Sequence, residues 1–269
     1  IILQISNYGF DASVEQIFLA LLNGYRLLIM PHLLWANKDK FYNYLNINAV
    51  THIHATPTFL NHYDFTNVSS LVRIILGGEE LSTDIYTNIK QFANYQIINE
   101  YGPTETSITS VVNTIKDHNL SMGTPIWNTT CYVLGCSYNP VPIGGVGELY
   151  IGGVGLARGY LDRPELTAEK FIANPFQTRK EKADTSYGSA GRNARLYRTG
   201  DLARWLPDGN LEYIGRNDFQ IKIRGYRIEL GEIESVLASY EGIKQSVVLA
   251  KEHIDKDGVS TENKYLVGY

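Results

Sequence analysis

The sequence lacks the features that mark three classes of protein: membrane-spanning proteins, nucleic-acid-binding proteins, and proteins held together by disulfides or zinc. Long apolar runs are absent from its 269 residues, so no segment is expected to cross a membrane. Basic residues are not in excess, and the net charge of −4 offers no field for nucleic acid. The two cysteines, Cys131 and Cys136, form neither a disulfide framework nor a zinc pattern. We therefore expect a protein of the reducing cytoplasm, without membrane or nucleic-acid partners.

The start of the chain also lacks an initiating methionine and a basic stretch before an apolar run, which argues against a secretory signal. It begins Ile1-Ile2-Leu3-Gln4, and we expect it to be part of a longer protein, truncated at both ends. The composition, 44% hydrophobic and 19% charged, is typical of a folded globule rather than a disordered segment.

Residues 1–119 alternate between apolar runs and helical periodicity. One helix stripe is formed by Val14, Ile17, Phe18, Leu21 and Leu22. Strands buried on both faces are predicted at Tyr25–Met30, Ala49–His54, Val72–Leu76 and Gln96–Ile98, because these runs lack polar alternation. The alternation predicts a partial parallel α/β core, the first part of a larger subdomain.

The rest of the chain changes character twice. Glycines and short β-like runs dominate residues 120–216, which predicts a β-rich subdomain, either a distorted barrel or a small sheet. Within it, residues 176–195 are polar and without period; we expect a mobile surface insertion, with docking of basic contacts as the alternative. Residues 217–269 pair strands with one amphipathic helix and predict the start of a small α+β C-terminal subdomain. The predicted class is thus α/β followed by β-rich and α+β parts.

The densest polar stretch, Asn99–Thr106, follows an apolar strand. Open α/β sheets bind ligands at this end of their strands. Thr104 offers a hydroxyl, Glu105 a hard oxygen ligand suited to Mg²⁺, and Tyr101 a flat face. On these residues alone, a plain polar loop is an equal alternative.

Three weaker stretches accompany it. The glycines of Gly77–Glu80 would let a planar ligand approach the backbone, although a simple strand-to-helix turn also explains them. Asp201, in Tyr197–Leu202, can accept two ribose hydroxyls or can cap a turn. In Gly215–Gly225, basic and apolar residues alternate on a strand that meets either phosphate or solvent.

His52 and His54 alternate on one strand and therefore face the same side. Because no cysteine or carboxylate stands at ligand spacing from them, we expect packed or pocket-lining histidines rather than a metal site.

Five motifs, taken in order, resemble the adenylation domain of nonribosomal peptide synthetases, within the acyl-adenylate-forming (AMP-binding) enzymes. They are Phe10–Val14, Tyr101–Glu105, Gly147–Leu161, Tyr197–Leu202 and Gly215–Glu234. The resemblance covers nearly the whole chain. It implies that ATP and Mg²⁺ activate an amino acid as its aminoacyl-AMP. The acyl group then passes to phosphopantetheine on a peptidyl carrier domain, with other synthetase domains in the same or a neighbouring chain.

The resemblance also implies roles for single residues. Glu105 would hold Mg²⁺, Thr104 would contact the α-phosphate, and Tyr101 would stack on adenine. Asp201 would take the ribose hydroxyls with Tyr213 nearby, and Asp218 would be the hinge of a swinging C-terminal subdomain. The catalytic set is Thr104, Glu105, Arg216 and Lys222. The nucleotide-binding set is Gly78, Glu79, Glu80, Asn99, Tyr101, Gly102, Asp201 and Tyr213.

For the amino acid, the resemblance implies that Asp11 pairs with the α-ammonium, as a buried cation requires. The rest of the predicted pocket is Ala12, Glu15, His54, Ile75, Gly77, Glu100, Ile108 and Thr109. Because Glu15 and Glu100 add two acids, we expect a basic side chain such as that of ornithine, lysine or arginine. The alternative is that one glutamate points away or pairs with His54.

Two family features are not found in these residues: a Ser/Thr/Gly-rich phosphate loop, expected before Ile1, and a catalytic lysine, expected after Tyr269. We expect the isolated chain to be weakly active or inactive, since single charge-stabilising groups are worth about 10²–10³ in rate. The rival functions are an acyl- or aryl-CoA ligase or a D-alanine carrier-protein ligase of the same superfamily. A further rival is an inactive remnant that acts only as a binding module.

Overall fold

A computed structural model of the protein describes residues 1–91, 95–116, 119–188, 190–223, 225–254 and 260–269. These residues divide into two units, 1–215 and 216–269. The three-part division predicted from the sequence, with boundaries after residues 119 and 216, stays a prediction.

Seven strands of the first unit form one sheet in the order β2-β1-β3-β4-β5-β6-β7. They are β1 (Ile2–Gln4), β2 (Leu27–Ile29), β3 (His52–Ala55), β4 (Arg73–Gly77), β5 (Gln96–Tyr101), β6 (Val111–Thr114) and β7 (Thr124–Pro125). The neighbours among β1 to β5 pair in parallel, whereas β6 and β7 are antiparallel. The predicted parallel α/β part is therefore confirmed.

Four helices accompany this sheet: α1 (Asp11–Leu22), α2 (Lys38–Ile47), α3 (Pro57–Leu60) and α4 (Thr83–Lys90). The side chains of Asn37, Thr56 and Ser82 accept backbone N–H groups at the starts of α2, α3 and α4, which fixes where these helices begin. Apolar residues of the same three helices, such as Phe41, pack with Ile53 and other strand residues in one core.

Helix α1 turns its polar side inward. Its apolar stripe is largely exposed, with Phe18 51% and Leu22 79% accessible, while Ser13, Gln16 and Ala20 are buried. Gln16 explains this orientation: its Oε1 accepts from the backbone N–H groups of Ile5 and Ser6. Its Nε2 donates to the Ser6 hydroxyl and to the His54 carbonyl. An apolar stripe normally faces the core, so the pattern predicted the helix but not its buried face.

The strand register gathers one set of side chains on a single face of the sheet. His54 is paired with Ile75, and Gly77 with Glu100. Since side chains alternate along a strand, these four residues lie on the same face, opposite the one that carries Ile53 and other core residues.

A second, antiparallel sheet follows in the first unit, in the order β10-β11-β9-β8 with β12 paired to β11. Its strands are β8 (Thr129–Leu134), β9 (Gly147–Gly153), β10 (Phe171–Ala173), β11 (Arg195–Trp205) and β12 (Leu211–Arg216). Val133, Leu149 and Ile151 form the centre of its core. The β-rich part predicted after the α/β part is confirmed.

Two short helices, α5 (Pro164–Lys170) and α6 (Arg179–Ala183), lie between its strands. Helix α6 falls in the segment that showed no period, because five residues are too few for a period to appear. It starts at a capping box between Thr178 and Glu181. The Gln177 amide then ties the segment to the carbonyls of Ala190 and Arg192. The segment is thus not irregular throughout, and its mobility stays a prediction; its Ser189 lies outside the described residues.

The second unit contains two antiparallel strand pairs and one helix. They are β13 (Gln220–Ile223), β14 (Tyr226–Glu229), α7 (Leu230–Ala238), β15 (Val248–Ile254) and β16 (Ser260–Gly268). Glu234 on α7 accepts the backbone N–H of Val248 at 2.8 Å, which ties the helix to β15. Across the described ranges of both units, no helix has the length and apolar character that crossing a membrane requires.

Candidate functional site

The loop after β5 is held in a strained conformation. Ser107 and Ile108 both have positive φ angles, 64° and 74°, which non-glycine residues rarely adopt. The loop folds back so closely that a Cβ on Gly102 would lie 2.1 Å from the Ile108 carbonyl oxygen. The hydroxyls of Thr106 and Ser110 form a hydrogen bond of 2.6 Å across the loop. Strain of this kind persists only where the surrounding structure enforces it and clusters at functional sites.

This loop meets the first turn of α1. The Thr104 hydroxyl donates to Asp11 Oδ2 at 2.6 Å, and the other carboxylate oxygen accepts the Ala12 N–H at 2.8 Å. Asp11 and Thr104 are 93 positions apart in the chain. The fold thus brings the residue predicted to bind an ammonium group into contact with the residue predicted to bind phosphate.

Tyr101 and Asp201 form a second long-range pair. The Tyr101 hydroxyl donates to Asp201 Oδ2 in a short hydrogen bond, and Asp201 is only 6% exposed. Burial, and then the charge of Asp201, raises the pKa of Tyr101 well above its ordinary value, so the phenol remains a donor. Thr199 accepts the backbone N–H of Asp201 through its hydroxyl at 2.9 Å. This pairing was not predicted from the sequence.

Glu105 is buried, with 7% of its surface exposed. Its Oε1 accepts the Tyr160 hydroxyl at 2.6 Å, and the hydroxyls of Tyr160 and Tyr197 lie 3.3 Å apart. Burial and the hydrogen bond to Glu105 raise the pKa of Tyr160, so that this phenol also remains a donor. Tyr160 belongs to the Gly147–Leu161 motif, but no role was predicted for it.

The donor set around Glu105 suits Mg²⁺. The neighbouring Thr104 hydroxyl is exposed, and a carboxylate beside a hydroxyl supplies the hard oxygen ligands that Mg²⁺ prefers. Glu105 and Thr104 are therefore residues that could hold this ion.

A third group, the Glu15–His54–Glu100 cluster, joins α1, β3 and β5. One ligand atom from each residue lies within 4.8 Å of the others, and Glu15 Oε2 is 3.5 Å from His54 Nδ1. Glu100 Oε2 accepts the Thr109 hydroxyl at 2.8 Å. No carboxylate stands at ligand spacing from His54 along the chain, but the fold brings two to it from distant positions.

Burial dominates the electrostatics of this cluster. It raises the pKa of Glu15 to about 8, with further contributions from the charges of Glu100 and Asp11. Burial also raises the pKa of Glu100, partly offset by the Thr109 hydrogen bond and by Arg73. The pKa of His54 falls to about 4 because burial disfavours its charged form. At neutral pH the imidazole is thus neutral and does not compensate the acids.

The other predicted pocket residues surround this cluster. A Cβ on Gly77 would lie 3.1 Å from His54 Nε2, so glycine leaves the room that the imidazole occupies. Ile75 is buried beside His54 in the register of the sheet. Ala12 and Ile108 are half-buried.

Several predicted nucleotide-binding residues make contacts within the protein. Asn99 is 8% exposed and donates to the Ser121 carbonyl at 3.3 Å. Glu79 accepts the Thr58 hydroxyl at 2.5 Å. Tyr213 packs against the core of the second sheet, while Gly78 and Glu80 are exposed. Binding of a nucleotide by these residues stays a prediction.

Three predicted residues lie in the second unit. Arg216 donates to both carboxylate oxygens of Asp218, each at 2.6 Å, in a bidentate ion pair. Lys222 is exposed on β13, in register with Arg227 on β14. The pairing of Arg216 with the predicted hinge residue was not anticipated, and the roles of all three stay predictions.

Comparison with known proteins identifies the class of protein. Residues 1–161 match the family of AMP-binding enzymes, so the chain belongs to that family. The chain is also 46% identical over 272 residues to an N-(5-amino-5-carboxypentanoyl)-L-cysteinyl-D-valine synthase of Amycolatopsis lactamdurans. That match covers 100% of this chain and 7% of the relative, and the chain covers between 3% and 32% of seven further curated relatives.

Solved structures narrow the likeness to one branch of the family. A nonribosomal peptide synthetase protein with adenylation and PCP domains, bound to a vinylsulfonamide inhibitor, is 26% identical with a TM-score of 0.83, covering 99% of this chain and 44% of that one. A four-domain nonribosomal peptide synthetase bound to AMP and glycine is 36% identical with a TM-score of 0.68, covering 99% and 19%. The predicted resemblance to adenylation domains of nonribosomal peptide synthetases is confirmed.

Proposed function

We propose that this chain contributes the amino-acid-activating site of a peptide synthetase: with ATP, it converts an amino acid to aminoacyl-AMP and pyrophosphate. The observation that carries the proposal is the 2.6 Å hydrogen bond between Thr104 and Asp11. An α-amino acid bound by its ammonium at Asp11 has its carboxylate only two bonds further on. That carboxylate would therefore lie beside the α-phosphate contacted by Thr104.

The chemical problem is the approach of two anions. An oxygen of the carboxylate attacks the α-phosphorus, the bond to the β-phosphate oxygen breaks, and pyrophosphate leaves. The carboxylate needs no base, so the protein contributes mainly position and charge compensation. Asp11 would fix the ammonium end, and Thr104 would donate to a phosphate oxygen. A Mg²⁺ ion held by Glu105 would compensate negative charge on the phosphates.

The remaining predicted residues would complete the nucleotide site. Asp201 would accept ribose hydroxyls, with Tyr101 holding its carboxylate in place through the short hydrogen bond. Catalytic roles for Arg216 and Lys222, and the hinge role of Asp218, stay predictions.

The product would then pass to a phosphopantetheine thiol. A thiolate attack on the acyl carbon would release AMP and give a thioester on a carrier domain. The likeness to a protein that contains adenylation and PCP domains supports this partner. The reducing cytoplasm is the proposed location, in keeping with two free cysteines, Cys131 and Cys136.

Amino-acid-dependent exchange of pyrophosphate into ATP tests the proposal, measured on the natural gene product that carries this chain. We expect exchange with at least one amino acid. Asp11→Asn should lower kcat/KM about tenfold or more, because a hydrogen bond to a charged group is worth about 1.5–3 kcal/mol. Glu169→Gln, at a glutamate whose side chain is 59% exposed, is the control and should change nothing.

Other results would favour the rival functions. Thioester formation from carboxylic acids and coenzyme A, without amino-acid-dependent exchange, would identify an acyl- or aryl-CoA ligase. Exchange with D-alanine above every other amino acid would identify a D-alanine carrier-protein ligase. ATP binding without any turnover would identify a binding module. Weak or absent activity of the isolated 269-residue chain stays a prediction.

A further inference from the structure

The Glu15–His54–Glu100 cluster has acceptor atoms that the protein itself does not use. Within the described part of the chain, Glu15 Oε2 and His54 Nδ1 are buried and have no hydrogen-bond partner. The side chains of His54 and Glu15 are only 10% and 21% exposed, so water is largely kept away from them. Buried polar atoms of this kind are rare, and each calls for an explanation such as a bound ligand.

Among the residues that the structure describes, no lysine or arginine forms an ion pair with the acids of the cluster. His54 is neutral at pH 7, because burial lowers its pKa to about 4. The guanidinium of Arg73, on β4, lowers the pKa of Glu100 but donates to Gln96 rather than to the cluster. The remaining groups that face the cluster are the Asp11 carboxylate on α1 and the Thr109 hydroxyl. Acids therefore outnumber cations around an unused set of acceptors.

We infer that the cluster receives the terminal ammonium of a lysine-like or ornithine-like amino acid, and that this cation displaces a proton from the two glutamates on binding. The inference rests on the proposed function and names its substrate class. It combines the three acceptors, their burial and their surplus of acid.

The number and placement of the acceptors favour an ammonium over a guanidinium. An ammonium has three donors directed away from one point, and the cluster presents one acceptor from each of three elements within 4.8 Å. A guanidinium is a planar fork that is best matched by the two oxygens of one carboxylate. Glu100 accepts the Thr109 hydroxyl with one oxygen, and its carboxylate shares a hydrogen bond with the Glu15 carboxyl, which an entering ammonium would replace.

The distance to Asp11 sets the length of the side chain. Asp11 and Glu15 are four residues apart on α1, and side chains at this spacing are neighbours, with Cβ atoms about 5–6 Å apart. The two nitrogens of ornithine and lysine are separated by four and five carbon atoms, enough to reach across this turn. One molecule can therefore place its α-ammonium at Asp11 and its terminal ammonium at Glu15.

Proton displacement follows from the burial of Glu15. With a pKa of about 8, this carboxyl carries a proton at pH 7 when the cluster is empty. A bound cation stabilises the carboxylate, so the proton leaves as the ligand enters. Affinity should then rise with pH up to about 8 and level off above it.

The first experiment is pyrophosphate exchange on the natural gene product with lysine, ornithine, arginine, norleucine, cysteine and valine. We expect lysine or ornithine to exceed norleucine, which lacks the ammonium, at least 100-fold in kcat/KM, and to exceed arginine about tenfold. Glu100→Gln should lower the ratio of kcat/KM for the diamino acid to kcat/KM for norleucine at least tenfold, whereas Glu169→Gln should leave this ratio unchanged. A faster reaction with cysteine, valine or norleucine would overturn the inference, as would an equal loss for both substrates.

The second experiment measures binding and does not depend on turnover. Calorimetric titration with lysine and with ornithine, at pH 7 in two buffers of different ionisation enthalpy, gives the number of protons released. We expect about one proton for the native protein and about none for Glu15→Gln. Binding with proton release but no exchange would contradict the proposed function and uphold the inference. Absence of binding, or Co²⁺ binding that is lost in His54→Gln and unaffected by lysine, would overturn it.

Discussion

The two sides of the candidate site differ in the hydrogen bonds that the protein makes to their acidic side chains. On the side predicted to bind nucleotide, Asp201 and Glu105 each accept a tyrosine hydroxyl of the protein, from Tyr101 and Tyr160. On the side predicted to bind the amino acid, Glu15 Oε2 and His54 Nδ1 have no hydrogen-bond partner among the described residues. On the first side the protein supplies a hydroxyl donor to each acid, whereas on the second side two buried atoms are left without a hydrogen bond.

Glu105→Gln should produce the largest effect, because it removes the charge from the side predicted to bind nucleotide. If Glu105 holds Mg²⁺, kcat for exchange should fall about 10²–10³-fold, as it does when a charge-stabilising group is lost. The variant should also need more Mg²⁺ for half-maximal rate. Native activity at ordinary Mg²⁺ would show that Glu105 is not a metal ligand and that the two sides do not differ in this way.

Gln16→Ala removes a buried side-chain amide whose hydrogen bonds are made, next in the chain to Glu15, whose Oε2 has none. The four hydrogen bonds of Gln16 would be lost, leaving unpaired the buried His54 carbonyl and the N–H groups of the half-buried Ile5 and Ser6. We expect the free energy of unfolding to fall by about 2–3 kcal/mol in urea denaturation. Phe18→Ala on the outer side of the same helix, where Phe18 is 51% exposed, should cost less than about 1 kcal/mol. The reverse order would mean that the apolar stripe, not Gln16, anchors α1.

Glu15→Gln should change how stability depends on pH. The pKa of Glu15 is raised from 4.5 to about 8, so its contribution is fully present below pH 4.5 and is lost as the pH rises through 8. His54, lowered from 6.5 to about 4, contributes above pH 6.5 and loses its contribution as the pH falls through 4. Of these two groups, only Glu15 therefore acts between pH 6.5 and 8.

Over that interval the native protein should lose up to about 2 kcal/mol relative to Glu15→Gln, at about 1.36 kcal/mol per pH unit. Urea denaturation of both proteins at pH 6.5, 7.25 and 8 measures the difference. Parallel stability curves would mean that Glu15 is ionised throughout and that the amino-acid side is already compensated.

Tyr160→Phe should give the smallest effect. It deletes the hydroxyl that Glu105 accepts at 2.6 Å and leaves the ring, which packs against Phe171 at 5.5 Å between centroids. We expect kcat to fall about tenfold, the worth of one hydrogen bond to a charged group, with little change in KM for the amino acid. A change confined to KM would place Tyr160 on the amino-acid side instead.

Much of the fold was predictable because local signals carry it. The strands predicted at Ala49–His54 and Val72–Leu76 correspond to β3 and β4, since strands of a parallel sheet that is covered on both faces are rich in apolar residues. The buried face of α1 was not predictable: Gln16 satisfies backbone groups of a neighbouring segment, and no local pattern reveals that demand. Helix α6 was not predicted, because its sequence signal is a capping box rather than a helical period.

The site was predictable as a set of residues but not as a set of contacts. Motifs indicated Asp11, Thr104 and Glu105, yet the Thr104–Asp11 contact joins positions 93 residues apart and depends on the packing of α1 against the sheet. Likewise, strand register across β4 places Glu100 on the same face as His54, whereas Glu15 reaches them from helix α1. Tyr160 could have been found by asking which hydroxyl in the Gly147–Leu161 motif reaches a buried acid.

The Thr104–Asp11 hydrogen bond has a consequence for how two substrates bind together. While this hydrogen bond persists, the Asp11 carboxylate and the Thr104 hydroxyl are engaged with each other, so neither group is fully available to a ligand. An ammonium that captures the Asp11 carboxylate releases the Thr104 hydroxyl, and a phosphate that captures Thr104 releases Asp11. Whichever substrate arrives first thus removes a competitor of the second. By thermodynamic reciprocity, ATP and amino acid should raise each other's affinity by the same factor, a positive heterotropic cooperativity that originates in one side-chain contact.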